Sequence, residues 1–203
     1  MLTGKQFKRA FISGANNILN HRKDVDALNV FPVPDGDTGT NMSMTSSAAV
    51  RELQVVSDDE DLSIVAAKTA AALLRGARGN SGVILSLVFR GISNGFKGKK
   101  EVGGKDLAAA LTLGKESAYK AVMKPTEGTI LTVVRKAAAA AEALASDDCG
   151  AVLDEAYRAA QEALAETPEL LPVLKEAGVV DAGGQGFLYI LDGIRGYINE
   201  GKF

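Results

Sequence analysis

Apolar residues recur at helical spacing along the whole of this chain, and that regularity limits the folds open to it. Near the start, Phe7, Phe11, Ala15 and Ile18 follow one another at intervals of three or four. β-Branched residues never alternate with polar ones over a useful length, so no convincing strand is predicted. Abundant alanine favours helices and lets them approach closely. We therefore predict an all-α bundle or barrel of about eight antiparallel amphipathic helices.

The apolar pattern also sets approximate helix boundaries. Thr3 and Gln6 have the spacing of a capping box that opens the first helix, and Ser57 and Glu60 have the same spacing. A short turn is expected from Pro168 to Lys175. The first predicted helix ends near Asn20, and Asp181 to Gly186 open the last one, which continues to Ile198. The helices between them run from Thr38 to Leu53, Ser57 to Arg75, Val83 to Ile92, Leu107 to Val122, Ile130 to Leu144 and Leu153 to Leu164.

Composition excludes several classes of protein. The 203 residues fit one domain; 46% are apolar, 24% are charged, and the net charge of −2 recommends neither nucleic acid nor a membrane surface as a partner. No apolar run is long enough to span a bilayer. Cys149 is the only cysteine, so an internal disulfide is excluded and a cytoplasmic location is expected. Its acidic neighbours predict an inert thiol.

The single histidine narrows the possible chemistry further. His21 cannot form a multi-histidine zinc site, and a Ser-His-Asp triad would have to use it. It lies among polar residues where the first helix should end, which favours a solvated helix-end residue because cations suit that end of a helix.

The loop before the second predicted helix concentrates acidic oxygens. Asp35 and Asp37 flank Gly36, and Pro32 and Pro34 stiffen the approach to them. Two carboxylates beside a helix start could hold a hard cation and an anion together. The same residues could also form an ordinary turn and helix cap, and the loop alone does not separate these readings. An EF-hand is excluded because Ser46 stands where its glutamate would be.

Four polar breaks separate the predicted helices. In an up-and-down bundle, the breaks before the even-numbered helices fall at the same end, so these four should meet at one rim suited to polyphosphate and a divalent cation. The spacing of their glycines matches neither a P-loop nor a dinucleotide fingerprint, and protein-kinase signatures are absent. The breaks are Asn29 to Asn41, Gly76 to Gly82, Lys124 to Thr129, and Asp181 to Gly186.

Long runs around these breaks resemble the DhaL-type (Dak2) nucleotide-binding domain, and within that family the N-terminal domain of bacterial fatty acid kinase. The resemblance extends over nearly the whole chain. The matching runs are Leu28 to Met42 (LNVFPVPDGDTGTNM), Arg75 to Ser86 (RGARGNSGVILS), Ala118 to Val133 (AYKAVMKPTEGTILTV) and Gly178 to Gly184 (GVVDAGG).

The resemblance implies a helical barrel with ATP or ADP at one rim, together with Mg²⁺. Asp35 and Asp37 resemble the catalytic metal ligands. Asn29 stands near the place of a third aspartate of dihydroxyacetone kinases, so it would be a neutral substitute ligand, and whether one or two ions bind is left open. The positions that resemble nucleotide contacts are Thr38, Gly39, Thr40, Asn41, Gly79, Asn80, Ser81, Thr129, Asp181, Ala182 and Gly183.

The function implied by the resemblance is phosphorylation of a fatty-acid carboxylate that a separate carrier protein presents. Two alternatives stay open: a dihydroxyacetone-type kinase subunit acting on a small ketose held by a partner, and a non-catalytic nucleotide sensor. We expect residues 1–203 to be one domain, the N-terminal part of a longer protein that could form homo-oligomers. Alone, it should bind nucleotide but transfer phosphate poorly.

Overall fold

The computed structural model describes all residues, 1–203, and is built almost wholly of helices. Two short strands, β1 (Leu2–Thr3) and β2 (Glu101–Val102), pair antiparallel, with Leu2 opposite Val102. The helices are α1 (Gly4–Asn20), α2 (Arg22–Leu28), α3 (Thr38–Leu53), α4 (Leu62–Gly76), α5 (Gly79–Gly95), α6 (Gly104–Ala121), α7 (Ile130–Leu144), α8 (Cys149–Leu170), α9 (Pro172–Ala177) and α10 (Ala182–Glu200).

Eight long helices form a closed ring, which confirms the predicted all-α barrel. Helices α3 to α8 pack in chain order, each against the next, and α10 then joins α8 to α1, which returns to α3. The strand pair was not predicted. The close contact of α1 with α10 depends on glycine, because a Cβ on Gly193 would lie 2.5 Å from the Cα of Gly14. The core inside the ring includes Phe11, Leu85 and Phe96.

Two short helices, α2 and α9, lie outside this ring and were not predicted. The prediction placed a loop where α2 forms and a turn where α9 forms. Helix α2 packs on α3 and α10, and α9 packs on α8. Each buries only one side chain, Val25 in α2 and Leu174 in α9. With a single buried residue there is no apolar periodicity to detect.

Two further boundaries differ from the sequence prediction for identifiable reasons. Helix α8 continues through Pro168, which has no N–H for the carbonyl of Leu164; the hydroxyl of Thr167 donates to that carbonyl instead, at 2.7 Å. The capping box at Thr3 is present, but the one predicted at Ser57 is wrong. Helix α4 begins later, where the N–H groups of Leu62 and Ser63 donate to the carbonyls of Lys100 and Lys99. No helix is long and apolar enough to cross a membrane.

Candidate functional site

The loop between α2 and α3 brings two carboxylates together. Gly36 adopts a left-handed conformation (φ 68°), which lets the chain turn between Asp35 and Asp37. The hydrogen-bonding contact with Asp35 raises the pKa of the Asp37 carboxyl most, burial and the charge of Asp35 raise it further, and Asn41 lowers it. Two carboxylates in contact repel each other when ionised, and a divalent cation between them would remove that repulsion.

The donor set suits a cation that shares its coordination shell with a ligand. No group of three or more acidic, histidine or cysteine side chains able to hold a metal occurs in the chain. Asp35 and Asp37 would therefore supply two carboxylate ligands, and the remaining positions would be filled by phosphate oxygens and water. Mg²⁺ bound together with substrate phosphates usually has this kind of shell.

Asn29, predicted as a neutral metal ligand, organises the loop in this structure. Its side chain is buried, and its Oδ1 accepts hydrogen bonds from the N–H groups of Asp37 at 3.0 Å and Thr38 at 3.2 Å. Its Nδ2 donates to the carbonyl of Val33 at 3.1 Å. Both lone pairs of the amide oxygen are thus in use, and Asn29 would have to give up these bonds to coordinate a metal. The geometry favours a positioning role for it.

Asp26, which the sequence analysis did not single out, blocks part of the N-terminus of α3. Its carboxylate accepts hydrogen bonds from the N–H of Thr40 at 2.8 Å and from its hydroxyl at 2.7 Å. Gly39 packs against α2, where a Cβ would lie 2.9 Å from the Cβ of Val25. Gly39 and Thr40, for which a phosphate contact is predicted, do not line the cavity that Thr38 and Asn41 line.

The N-terminus of α5, by contrast, is open. No side chain accepts a hydrogen bond from the N–H groups of Gly79, Asn80 or Ser81, and Gly79 and Asn80 are exposed. Thr45 on α3 fixes this helix start, because its hydroxyl accepts from the N–H of Arg78 at 3.0 Å and donates to the carbonyl of Asn41 at 2.8 Å. A helix start with free N–H groups attracts anions through those groups and the helix dipole.

The acidic loop and the start of α5 share one cavity of about 220 Å³. The paired carboxylates therefore stand across a small polar space from the free amides of α5. Eight of the residues predicted from the sequence are among those that line it. The lining residues are Asn29, Pro32, Val33, Asp35, Asp37, Thr38, Asn41, Gly79, Asn80 and Ser81.

The other two breaks reach the same end of the barrel. A Cβ on Gly183 would lie 3.3 Å from the Oγ of Ser81 and 3.4 Å from the Cβ of Ile130, so the starts of α5, α7 and α10 meet. Thr129 caps α7 through the N–H of Leu131. With Asp181, Ala182 and Gly183 it is buried, so these four residues form the wall behind Ser81 rather than an exposed surface.

Asp181 is a buried acid without a cationic partner. Its carboxylate accepts from the N–H of Gly184 at 2.8 Å and from the N–H of Ile130, joining the starts of α10 and α7. Burial raises the pKa of this carboxyl to about 6, and the two backbone hydrogen bonds only partly offset the effect.

The single histidine and cysteine lie outside this cavity. The ring of His21 stacks on Tyr189 with centroids 4.2 Å apart, and its Nδ1 is 2.8 Å from the carbonyl oxygen of Asn17. His21 is thus packed against α10 rather than simply solvated. Burial, with a smaller contribution from Asp148 and Asp147, raises the pKa of the Cys149 thiol, in line with the predicted lack of reactivity.

Comparison with known protein families shows which family this chain belongs to. The model of the DAK2 domain matches residues 32–196, which include the acidic loop and the starts of α5, α7 and α10. The chain belongs to the DAK2 domain family. Protein YloV of Bacillus subtilis is 50% identical over 194 residues, covering 95% of this chain and 35% of that protein. An uncharacterized protein of Staphylococcus haemolyticus is 46% identical over the same length, with the same coverage.

Solved structures of dihydroxyacetone kinase from C. freundii have the same fold as this DAK2 domain. The native form matches 96% of this chain and 35% of the kinase with a TM-score of 0.67 at 18% identity. The form in complex with AMP-PNP and Mg²⁺ matches 93% of this chain and 33% of the kinase with a TM-score of 0.68. The DAK2 domain spans about a third of the length of the relatives it matches.

Proposed function

We propose that this DAK2 domain binds ATP or ADP with Mg²⁺ at the rim cavity and acts as the nucleotide-binding part of a kinase. The observation that carries the proposal is the pairing of Asp35 and Asp37 opposite the free amides of α5 in one cavity. Such a site offers a cation ligand set on one side and an anion cradle on the other. The C. freundii enzyme of the same fold binds AMP-PNP and Mg²⁺, which supports the assignment.

Each part of the site then has a defined role toward a bound nucleotide. Asp35 and Asp37 would hold Mg²⁺, which neutralises phosphate charge when it is bound. The N–H groups of Gly79, Asn80 and Ser81 would donate hydrogen bonds to the phosphate oxygens. Thr129 and Asp181 to Gly183, which are buried behind Ser81, would support this helix start from within the barrel. Phosphoryl transfer requires mainly positioning and charge stabilisation, and these residues supply both.

We further propose that the phosphoryl acceptor is a fatty-acid carboxylate presented by a separate carrier protein. A carboxylate is already ionised at neutral pH, so its oxygen can attack the γ-phosphorus without a general base. The new bond joins that oxygen to phosphorus, the bond to the β,γ-bridging oxygen breaks, and ADP leaves with the electron pair. A site with no histidine among its lining residues suits this chemistry.

A second candidate is a dihydroxyacetone-type kinase subunit, which the shared fold with the C. freundii enzyme favours. A ketose hydroxyl must lose a proton during transfer, and only Asp35 or Asp37 could take it in this cavity. A carboxylate holding a metal is a weak base, which makes this acceptor the less favoured one. The third candidate, a non-catalytic nucleotide sensor, would use the same cavity without an acceptor.

A product assay separates the three candidates. The chain, and full-length YloV of Bacillus subtilis as a longer relative, would each be mixed with Mg·ATP and either a carrier loaded with fatty acid or dihydroxyacetone with its binding subunit. Mass spectrometry should detect acyl phosphate with the longer protein and little or none with the isolated DAK2 domain. Ketose phosphate as the only product would replace the first candidate by the second. Absence of both products, with intact nucleotide binding, would leave the sensor.

A further inference from the structure

A basic groove lies on the outer face of α3, directly beside the proposed nucleotide site. It has a volume of about 470 Å³ and runs between α3 and the segment that links α4 to α5. Its walls carry Arg22, Arg51, Arg75 and Arg78, all of them exposed. These are four of the nine arginines, so the groove concentrates positive charge in a chain whose net charge is −2.

Most of this charge is not neutralised within the chain. Arg75 forms an ion pair with Glu52. Arg51 and Arg78 form no ion pair, and the guanidinium of Arg22 donates only to the carbonyl of Leu19, at 3.1 Å. An exposed guanidinium presents a planar fork of donors that matches a carboxylate in two hydrogen bonds. Three such forks around one groove are a surface complementary to acidic side chains.

The groove also exposes apolar side chains. Met44 is 42% exposed in its lining, Leu19 is 38% exposed, and Val55, which lines a shallower extension past Arg51, is 85% exposed. Arginine and methionine are enriched in protein interfaces, where apolar contacts provide area and charges provide specificity. Nucleic acid and anionic membranes attract proteins of overall positive charge, and a pI near 5.5 favours neither.

We propose that this groove docks an acidic face of the carrier protein that presents the phosphoryl acceptor. The position suits that partner, because Arg78 directly precedes Gly79 and Thr40 lies in the groove next to Asn41 of the nucleotide cavity. A protein seated on the arginines therefore stands beside the site where its acceptor is needed. This inference rests on the proposed function, which supplies the carrier as partner.

The test measures binding of the fatty-acid-loaded carrier to the chain by biolayer interferometry at two salt concentrations. Arg51→Glu and Arg75→Glu reverse charges in the groove away from the nucleotide cavity, and Arg51→Gln removes one charge without reversing it. Arg90→Glu is the matched control, since Arg90 is exposed, forms no ion pair and lies outside the groove. Affinity for Mg·AMP-PNP and circular dichroism spectra are recorded for every variant.

We expect each groove reversal to weaken carrier binding about tenfold, Arg51→Gln to weaken it less, and higher salt to reduce the difference. Arg90→Glu should bind like the wild type, and every variant should keep its nucleotide affinity. Unchanged carrier binding in Arg51→Glu and Arg75→Glu overturns the proposal that the groove docks the carrier, while leaving the proposed function in place. A wild-type chain that binds Mg·AMP-PNP but not the carrier, at either salt concentration, also overturns the groove as the docking surface, whereas the product assay with full-length YloV decides the carrier part of the proposed function.

Discussion

Replacing Asp181 by asparagine should change how the stability of the DAK2 domain depends on pH. The carboxyl has a pKa of about 6 in the folded protein against 3.8 for a solvated aspartate, because burial disfavours its ionised form. Below pH 3.8 it is protonated in both states, and the folded state keeps its full stability. As pH rises toward 6, the unfolded chain ionises freely and the folded one does not, so stability is lost. The difference between these two pKa values corresponds to a loss of about 3 kcal/mol in the free energy of unfolding.

Asparagine keeps an oxygen that can cap α10 but does not titrate, so the variant should lack this loss of stability. Between pH 4 and pH 7, the free energy of unfolding of Asp181→Asn should rise relative to the wild type by about 2.5 kcal/mol, slightly less than the full value because some loss has already occurred at pH 4. Urea denaturation followed by circular dichroism at four pH values measures the difference. The comparison requires a variant that folds at every pH used.

Asp148→Asn is the control for this experiment. Asp148 caps α8 through the N–H of Gly150 in the same way, but its residue is exposed. The difference in free energy of unfolding between Asp148→Asn and the wild type should change by less than about 1 kcal/mol over the same pH range. A difference between Asp181→Asn and the wild type that stays constant from pH 4 to pH 7 would refute the account of Asp181 as a buried, unpaired acid.

Three further predictions test the packing of the site and of the barrel. Asn29→Ala should cost about 2 kcal/mol in urea denaturation, because it leaves backbone N–H groups without an acceptor; an unchanged midpoint would contradict its positioning role. Thr45→Val should weaken Mg·AMP-PNP binding in calorimetry, because the N–H of Arg78 loses its acceptor. Thr45→Ser keeps the hydroxyl and should bind like the wild type. Equal affinities in the wild type and both variants would count against the role of Thr45. In thermal melts, Gly193→Ala should destabilise the protein through a clash with α1. Gly196 has open space around it, so Gly196→Ala should stabilise the protein by up to about 1 kcal/mol. The same effect at both positions would contradict the close contact of α1 with α10.

The barrel could be predicted because its helices are long and amphipathic, so periodicity alone located all eight. Helices α2 and α9, at 7 and 6 residues, are too short to show that period, and only packing against longer neighbours forms them. The start of α4 was misplaced because its first N–H groups pair with carbonyls at Lys99 and Lys100, far along the chain. Local sequence gives no signal for such a cap.

The location of the candidate site could be predicted from the sequence, but its hydrogen bonds could not. The four polar breaks locate the rim, and the order of the helices brings them to one end. Which helix start is free depends on distant pairs: Asp26 closes part of α3 from 14 residues away, and Thr45 holds the start of α5 from 33 residues away. Contacts at such separations exist only in the assembled barrel. The sequence therefore could not show that a backbone N–H at the start of α3 is hydrogen-bonded to a side chain whereas those at the start of α5 are not.

Magnesium-dependent binding of AMP-PNP, measured by isothermal titration calorimetry, tests the central claim most directly. The account predicts that the wild-type chain binds the nucleotide with Mg²⁺ and loses most of that affinity when EDTA is added. It also predicts that Asp35→Asn and Asp37→Asn each weaken binding by about a hundredfold or more, with circular dichroism spectra unchanged, because each removes a charged metal ligand. Wild-type affinity in both variants, or binding that is indifferent to Mg²⁺, would contradict the assignment of this rim as a magnesium–nucleotide site.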